Sequence, residues 1–299
     1  MTVSVVIPAY NAAAFLPVTV PAVLALDGVA EWIWVDDGST DATRDELVRL
    51  THGHGSVRVL GLTSNQGRAA ARNAGVHAAT GDVIACLDAD ASPRPGYALA
   101  HLDALAQTGA VASIGRIEPA DPVEGDPYSL YLQHHPRGPR VPAGSTSWAH
   151  FVTCAACVRA DALDRAGGFN PAIQYGEDAE LACRLAATDP DGLHVATGAV
   201  VDLYGTEPLA GALAKTRQFG EALPLLLASC PDALAVLGLS RLDDPRVRAV
   251  LRSERLARLV RRMLPRLPPS LVATGVRYLL GHALYSGYAD ALDGLSPDS

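Results

Sequence analysis

Between Val3 and Ile117, short apolar runs alternate with longer segments of helical period, and this alternation restricts the fold more than any other feature of the chain. Val3 to Ile7, Glu31 to Val35, Val57 to Leu60, Val83 to Leu87 and Ala110 to Ile117 read as strands. Ala12 to Leu26, Asp41 to Leu50, Gly67 to Ala79 and Tyr97 to Gln107 read as helices. A β-α-β-α rhythm implies a mostly parallel sheet with helices on both faces, an α/β architecture. Ligands of such sheets bind beyond the carboxyl ends of the strands. The polar segments fall at those ends: Pro8 to Asn11, Asp36 to Asp41, Asn65 to Arg68 and Asp88 to Asp90.

Each segment has a plain structural reading beside a functional one. In Asp36-Asp37-Gly38-Ser39-Thr40-Asp41 a helix cap accounts for Ser39, Thr40 or Asp41. It leaves two adjacent carboxylates that repel unless a donor-rich ligand, such as a base imide or a ribose hydroxyl, meets them. Asp88-Ala89-Asp90 follows an apolar strand and offers two hard oxygen donors one residue apart. Mg²⁺ or Mn²⁺ bridging phosphates takes one or two carboxylates plus water and substrate oxygens. Alone, such a triplet is weak; its place beside Asp36-Asp37 raises it. Asn65 to Gly75 opens a helix with small residues, and its Arg72 can face an anionic diphosphate or be solvated on an Ala-rich helix. Glu177 and Asp178 either favour a helix N-terminus or supply a general base, Asp178.

In one order the chain carries Ser4-Val5-Val6-Ile7-Pro8-Ala9-Tyr10-Asn11, Val35-Asp36-Asp37-Gly38-Ser39-Thr40-Asp41, Asn65-Gln66-Gly67 with Ala71-Arg72-Asn73, Leu87-Asp88-Ala89-Asp90, and Gly167-Gly168-Phe169 with Gly176-Glu177-Asp178. This set closely resembles the inverting family 2 glycosyltransferases of the GT-A fold, over roughly residues 1 to 205. The resemblance implies a nucleotide-sugar donor, UDP-linked by preference, an acceptor hydroxyl, and Mn²⁺ or Mg²⁺ as cofactor. Pro8, Tyr10, Asn11 and Asp37 would line the nucleoside pocket with Asp36 close by, and Asn65, Gly67, Arg72 and Ala89 would join the donor site. Asp88 would approach the ribose or the metal, and Asp90 would bind the metal. Asp178 would be the base, with Glu177 and Gly168 on the acceptor side. The acceptor class would be a carbohydrate, a lipid-linked sugar or a small molecule, in cell-envelope polysaccharide, glycolipid or natural-product glycosylation.

Two departures from the family stand out. Many relatives place a histidine after the late strand; here Val195 to Val201 leads into Asp202, which becomes the candidate third metal ligand, with water as the alternative. No Gln-x-x-Arg-Trp follows Asp178, so transfer of one sugar is expected rather than chain synthesis.

Residues 118 to 145, rich in proline and glycine, read as an irregular loop that helps shape the acceptor pocket. The expected division is a catalytic domain over 1–205, nucleotide-binding to about 117 and acceptor-binding from about 118, followed by a helical extension over 206–299. Arg246 to Arg266 holds eight arginines against the single acid Glu254. Such a helix either packs its apolar face on the catalytic domain with arginines in solvent, or makes peripheral contact with an anionic bilayer.

The formal net charge of -8 argues against a nucleic-acid partner. Met1 leads directly into strand-like Ser4-Val5-Val6-Ile7, not a signal peptide, and no long apolar run suggests a spanning helix. An odd count of five cysteines suggests reduced thiols in a cytoplasmic protein, peripheral at most to the inner membrane face. Cys154-Ala155-Ala156-Cys157 reads as small buried residues near a strand in preference to a zinc or redox pair. A sugar nucleotidyltransferase would carry a Gly-rich basic loop after the first strand, which Pro8-Ala9-Tyr10-Asn11-Ala12 lacks. A catalytically silent nucleotide-sugar-binding module is the non-enzymatic alternative.

Overall fold

The computed structural model describes residues 1–134 and 144–294. Strands β1 (Val3–Ala9), β2 (Val29–Asp36), β3 (Val57–Gly61) and β4 (Val83–Cys86) are linked in turn by helices α1 (Leu16–Leu24), α2 (Thr43–Thr51) and α3 (Arg68–Ala78). Beyond β4 come β5 (Ala91–Pro93), α4 (Tyr97–Thr108), β6 (Ala112–Pro119), α5 (Pro127–His134), β7 (Ala156–Arg159), α6 (Ala160–Arg165), α7 (Glu177–Thr188) and β8 (Leu193–Leu203). The eight strands form one sheet in the order β3-β2-β1-β4-β7-β6-β8-β5. Pairing is parallel from β3 through β4 and again between β6 and β8. It is antiparallel at β4–β7, β6–β7 and β5–β8. The result is the mixed, mostly parallel sheet between helices expected of a GT-A domain.

Strand β1 is central in its half of the sheet, which explains why Val3, Val5, Val6 and Ile7 are fully buried. Ile7, Leu16, Leu87 and Leu105 lie in one continuous core, and burial of such side chains contributes roughly 1.5–3 kcal/mol each. Helix α3 lies unusually close to this sheet. A Cβ on Gly75 would stand 2.4 Å from Cγ1 of Val6 and 3.2 Å from Cγ2 of Val35, so only glycine permits the approach that seats Arg72 below the sheet rim.

Several elements differ from expectation. Residues 118 to 145 are not wholly irregular: Pro127 opens α5, where its missing N–H costs no hydrogen bond. Residues 135–143 of that segment lie outside the described residues. The short β5 and the helix α6 were not anticipated, β7 was expected only as a strand near Cys154 and Cys157, and Asp202 lies within β8 instead of after it. Cys154 and Cys157 are small buried residues at β7, as expected. The expectation of reduced thiols holds for Cys86, Cys154 and Cys157 and not for Cys183 and Cys230, which are disulfide-bonded.

After Gly205 the chain is helical: α8 (Leu209–Ser229), α9 (Ala233–Val236), α10 (Pro245–Leu251), α11 (Glu254–Met263) and α12 (Pro269–Gly294). Two compact units are distinguished. One is drawn from Met1–Ala120, Arg137–Ala172 and Glu177–Gly205, the other from Asp121–Pro136, Ile173–Gly176 and Thr206–Ser299. Helix α5 therefore belongs with the helical unit, where Tyr128 joins Ala212, Ala257, Val276 and Leu279 in a second core. Among the described residues no helix is long and apolar enough to cross a membrane.

Candidate active site

At the carboxyl end of β1 the chain turns through Asn11, whose positive φ of 49° is a conformation asparagine tolerates better than most residues. The turn is fastened to the loop after β2. Asn11 N–H donates to Ser39 Oγ (3.0 Å), and its Oδ1 accepts from Thr40 N–H (2.9 Å). Thr43 Oγ1 accepts from Ala12 N–H (2.7 Å) and in turn donates to Asp41 Oδ1 (2.5 Å). The two loops therefore act as one support. Pro8 is half-buried beneath them, and Tyr10 stands 45% exposed, an aromatic face left to solvent at the rim.

Asp36 and Asp37 are both buried. Their donors come from the chain itself. Asp36 Oδ1 accepts from Ser39 N–H (3.1 Å), a local turn, with Arg44 Nη1 3.7 Å from its other oxygen. Asp37 reaches across to the loop after β3, where Oδ1 accepts from Gln66 N–H (2.8 Å) and Oδ2 from Gly67 N–H (2.9 Å). Asn65 Oδ1 also accepts from Gly67 N–H (3.0 Å). Adjacent carboxylates are thus accommodated without a ligand, contrary to the sequence argument. Burial raises the Asp37 pKa, the two amides oppose the rise, and the Asp36 charge adds to it. Each Asp37 oxygen retains a second lone pair for another donor.

The third and fourth loops meet at Arg72. Its side chain is 2% exposed and does not stand open to solvent as a free diphosphate-facing arginine would. Nη2 donates to Asp88 Oδ1 (2.8 Å) and Nη1 to Glu177 Oε1 (2.5 Å), while the guanidinium lies 5.5 Å from the Phe169 ring centroid. Burial opposes its charge, but the carboxylates of Asp88 and Glu177 outweigh that and raise its pKa above the ordinary arginine value. Asp88 and Asp90 flank buried Ala89, whose carbonyl accepts from the buried Thr19 hydroxyl (2.8 Å). The Asp90 carbonyl accepts from Tyr204 N–H (2.8 Å), anchoring this turn between β4 and β5 to the end of β8.

Both carboxylates of the triplet are half-buried at the sheet rim, a donor set that fits a hard divalent cation shared with substrate oxygens. Asp202 is otherwise occupied. Opposite Ser92 in the β5–β8 ladder, it accepts the fork of Arg94, with Nε at 2.9 Å and Nη2 at 2.6 Å. Among the described residues no group of three His, Cys, Asp or Glu side chains is placed to hold a metal ion.

Asp178 follows Glu177 at the start of α7 and is half-buried. Burial, then the adjacent Glu177 charge, push its pKa up to about 6, with Arg72 and Arg68 opposing. Gly168 is placed by α3. Asn73 Oδ1 accepts from Phe169 N–H and its Nδ2 donates to Phe169 C=O, both at 2.8 Å. Gly168 has φ 72°, and a Cβ there would stand 2.8 Å from Asn73 Oδ1. Arg184, held by Glu180, donates to the Gly168 carbonyl (2.8 Å). Thr19, Arg94 and Arg184 support the site but carried no signal in the sequence, since the site groups they hold, Ala89, Asp202 and Gly168, lie 16 to 108 positions away.

The model of glycosyl transferase family 2 matches residues 4–167, more than half of the chain. The chain belongs to glycosyl transferase family 2. This member of the family is 32% identical to the pre-mycofactocin glycosyltransferase of Mycobacterium tuberculosis over 247 residues, covering 80% of this chain and 50% of that protein. The chain spans about half the length of the curated relatives it matches. By fold it is similar to S. aureus TarS 1-349 in complex with UDP-GlcNAc (TM-score 0.64, 14% identity, 98% of this chain and 92% of that one). It is also similar to the mannosyltransferase PcManGT from Pyrobaculum calidifontis, in complex with GDP-Man and Mn²⁺ (TM-score 0.61, 21% identity, 98% and 88%).

Proposed function

We propose that residues 1–205 transfer one sugar from a nucleotide-diphosphate donor, UDP-linked by preference, to an acceptor hydroxyl with inversion at the anomeric carbon. The observation that carries this is the buried guanidinium of Arg72, held between Asp88 and Glu177 beside Asp178. It ties the proposed phosphate side of the site to the proposed base.

Asp178 removes the acceptor's hydroxyl proton. The resulting oxygen forms a bond to the anomeric carbon as the bond from that carbon to the diphosphate oxygen breaks, and the single displacement inverts the centre. A pKa near 6 suits a general base working near neutral pH. Asp90 and Asp88 are the residues that would hold Mn²⁺ or Mg²⁺, which supplies positive charge toward the leaving diphosphate. The fold neighbours bound to UDP-GlcNAc and to GDP-Man with Mn²⁺ support a nucleotide-sugar donor and a cation of this class. Exposed Tyr10, together with Pro8, Asn11 and Asp37, is assigned to the nucleoside; Glu177 and Gly168 are assigned to the acceptor side.

Thermal-shift titration with UDP- and GDP-sugars, with and without Mn²⁺, followed by donor hydrolysis assays, tests the proposal. The expected result is a donor-dependent stabilisation enhanced by Mn²⁺, with the Mn²⁺ enhancement and metal-dependent turnover lost in Asp90→Ala. Unchanged metal response in that variant would remove Asp90 from the metal site. Binding without hydrolysis or transfer would point to a silent binding module.

A further inference from the structure

Helix α11 packs one side within the helical unit. Ala257 and, just beyond the helix, Leu264 are buried against Val272, Val276 and Leu279 of α12, and Val260 packs beside them. Among the described residues the opposite side has no such cover. By the helical period Arg255, Arg258, Leu259 and Arg262 share it, all exposed, Leu259 at 55%. Met263 at the margin of this side is 41% exposed, and Val250 on α10 and Leu271 on α12 are also large exposed apolar residues.

The arginines around them differ from Lys215 and Arg217 of the same helical unit. Lys215 pairs with Glu207 (2.6 Å), and Arg217 pairs with Glu221 (3.2 Å) and Asp290. Among the described residues none of the eight arginines from Arg246 to Arg266 forms a salt bridge; Arg248, Arg258 and Arg266 donate to backbone carbonyls of their own neighbourhood. The segment's one acid, Glu254, lies 3.3 Å from His282. In a chain of net charge -8, this is a concentrated, unneutralised field of positive charge.

We propose that this outer side of α11, with the arginines of α10, docks the protein on an anionic phospholipid bilayer. Charge alone would suit any polyanion. Among polyanions the exposed Leu259 and Met263 favour the bilayer, because an acyl boundary beneath the headgroups takes them out of water and a soluble polyanion does not. The inference does not depend on the proposed transfer reaction, and its test uses no sugar.

The full chain is co-sedimented with vesicles of phosphatidylcholine and with vesicles of equimolar phosphatidylcholine and phosphatidylglycerol. Binding is expected only to the anionic vesicles, and raised salt should weaken it as the Debye length falls from about 10 Å at 0.1 M to about 3 Å at 1 M. Replacing Arg255, Arg258 and Arg262 together by Ala should lower the partition coefficient roughly a hundredfold, about fivefold per arginine. In Leu259→Trp, indole emission should move to the blue when anionic vesicles are added. This second variant decides the matter even if the triple variant misfolds. Absence of binding to anionic vesicles, equal binding to both vesicle types, a folded triple variant that binds undiminished, or an unshifted emission overturns the proposal. So does saturable binding to inorganic polyphosphate in the absence of vesicle binding, which would make the face a site for soluble polyanions.

Discussion

Asp178 carries opposing consequences for stability and for chemistry. Its folded-state pKa near 6 lies above the ordinary carboxylate value, so between about pH 4 and 6 the folded chain holds more proton than the unfolded one. Stability from this group is therefore present below that window and is lost as pH rises through about 6. Replacing Asp178 with Asn removes the penalty, and the melting temperature at pH 7.5 should rise, by an amount equivalent to about 1–2 kcal/mol after allowance for solvent screening. The same variant should lose turnover by about 10²–10⁴-fold while keeping donor binding. In the parent, turnover should fall as pH drops through about 6. Arg72 behaves differently. Arg72→Met strands two carboxylates at the rim, one of them buried, and should cost about 3–5 kcal/mol in urea denaturation. Arg72→Lys should restore little, since an ammonium lacks the planar fork that meets Asp88 and Glu177 at once.

Among the elements, the long parallel strands were legible because fully buried strands read as continuous apolar runs. The short ones were not. β5 is three residues long and β7 four, and both owe their existence to antiparallel partners, β8 for the first, β4 and β6 for the second. Pro127 hid α5 within a proline-rich stretch. The candidate residues were legible by type and position, whereas their partners were not. Nothing near Asp37 announces that Gln66 and Gly67 amides will satisfy it, and Asp202 looked available because Arg94 is 108 positions away. The contact between α3 and the loop before α7 can be tested directly. Asn73→Ala removes both hydrogen bonds to Phe169 and should cost about 1–3 kcal/mol by chemical denaturation. Gly168→Ala should be at least as harmful, because the left-handed backbone and the nearby Asn73 oxygen both resist a side chain.

Across the whole molecule, donor occupancy should appear as stability. A nucleotide-sugar at a hundredfold above its Kd adds about 2.7 kcal/mol, which for a chain of 299 residues corresponds to a melting shift of roughly 4 °C. Differential scanning fluorimetry should show this shift in Asp178→Asn and a diminished one in Asp90→Ala when Mn²⁺ is present. The placement of Arg72 has a further consequence, for synthesis on the ribosome. The portion shared with the family model ends at residue 167, ten positions before Glu177. Until α7 emerges, a nascent chain carries the Asp88 carboxylate and a guanidinium whose second acid partner has not yet been made. The second of the two ion pairs that hold Arg72 therefore forms only once the start of α7 has been translated, more than a hundred positions after the arginine itself.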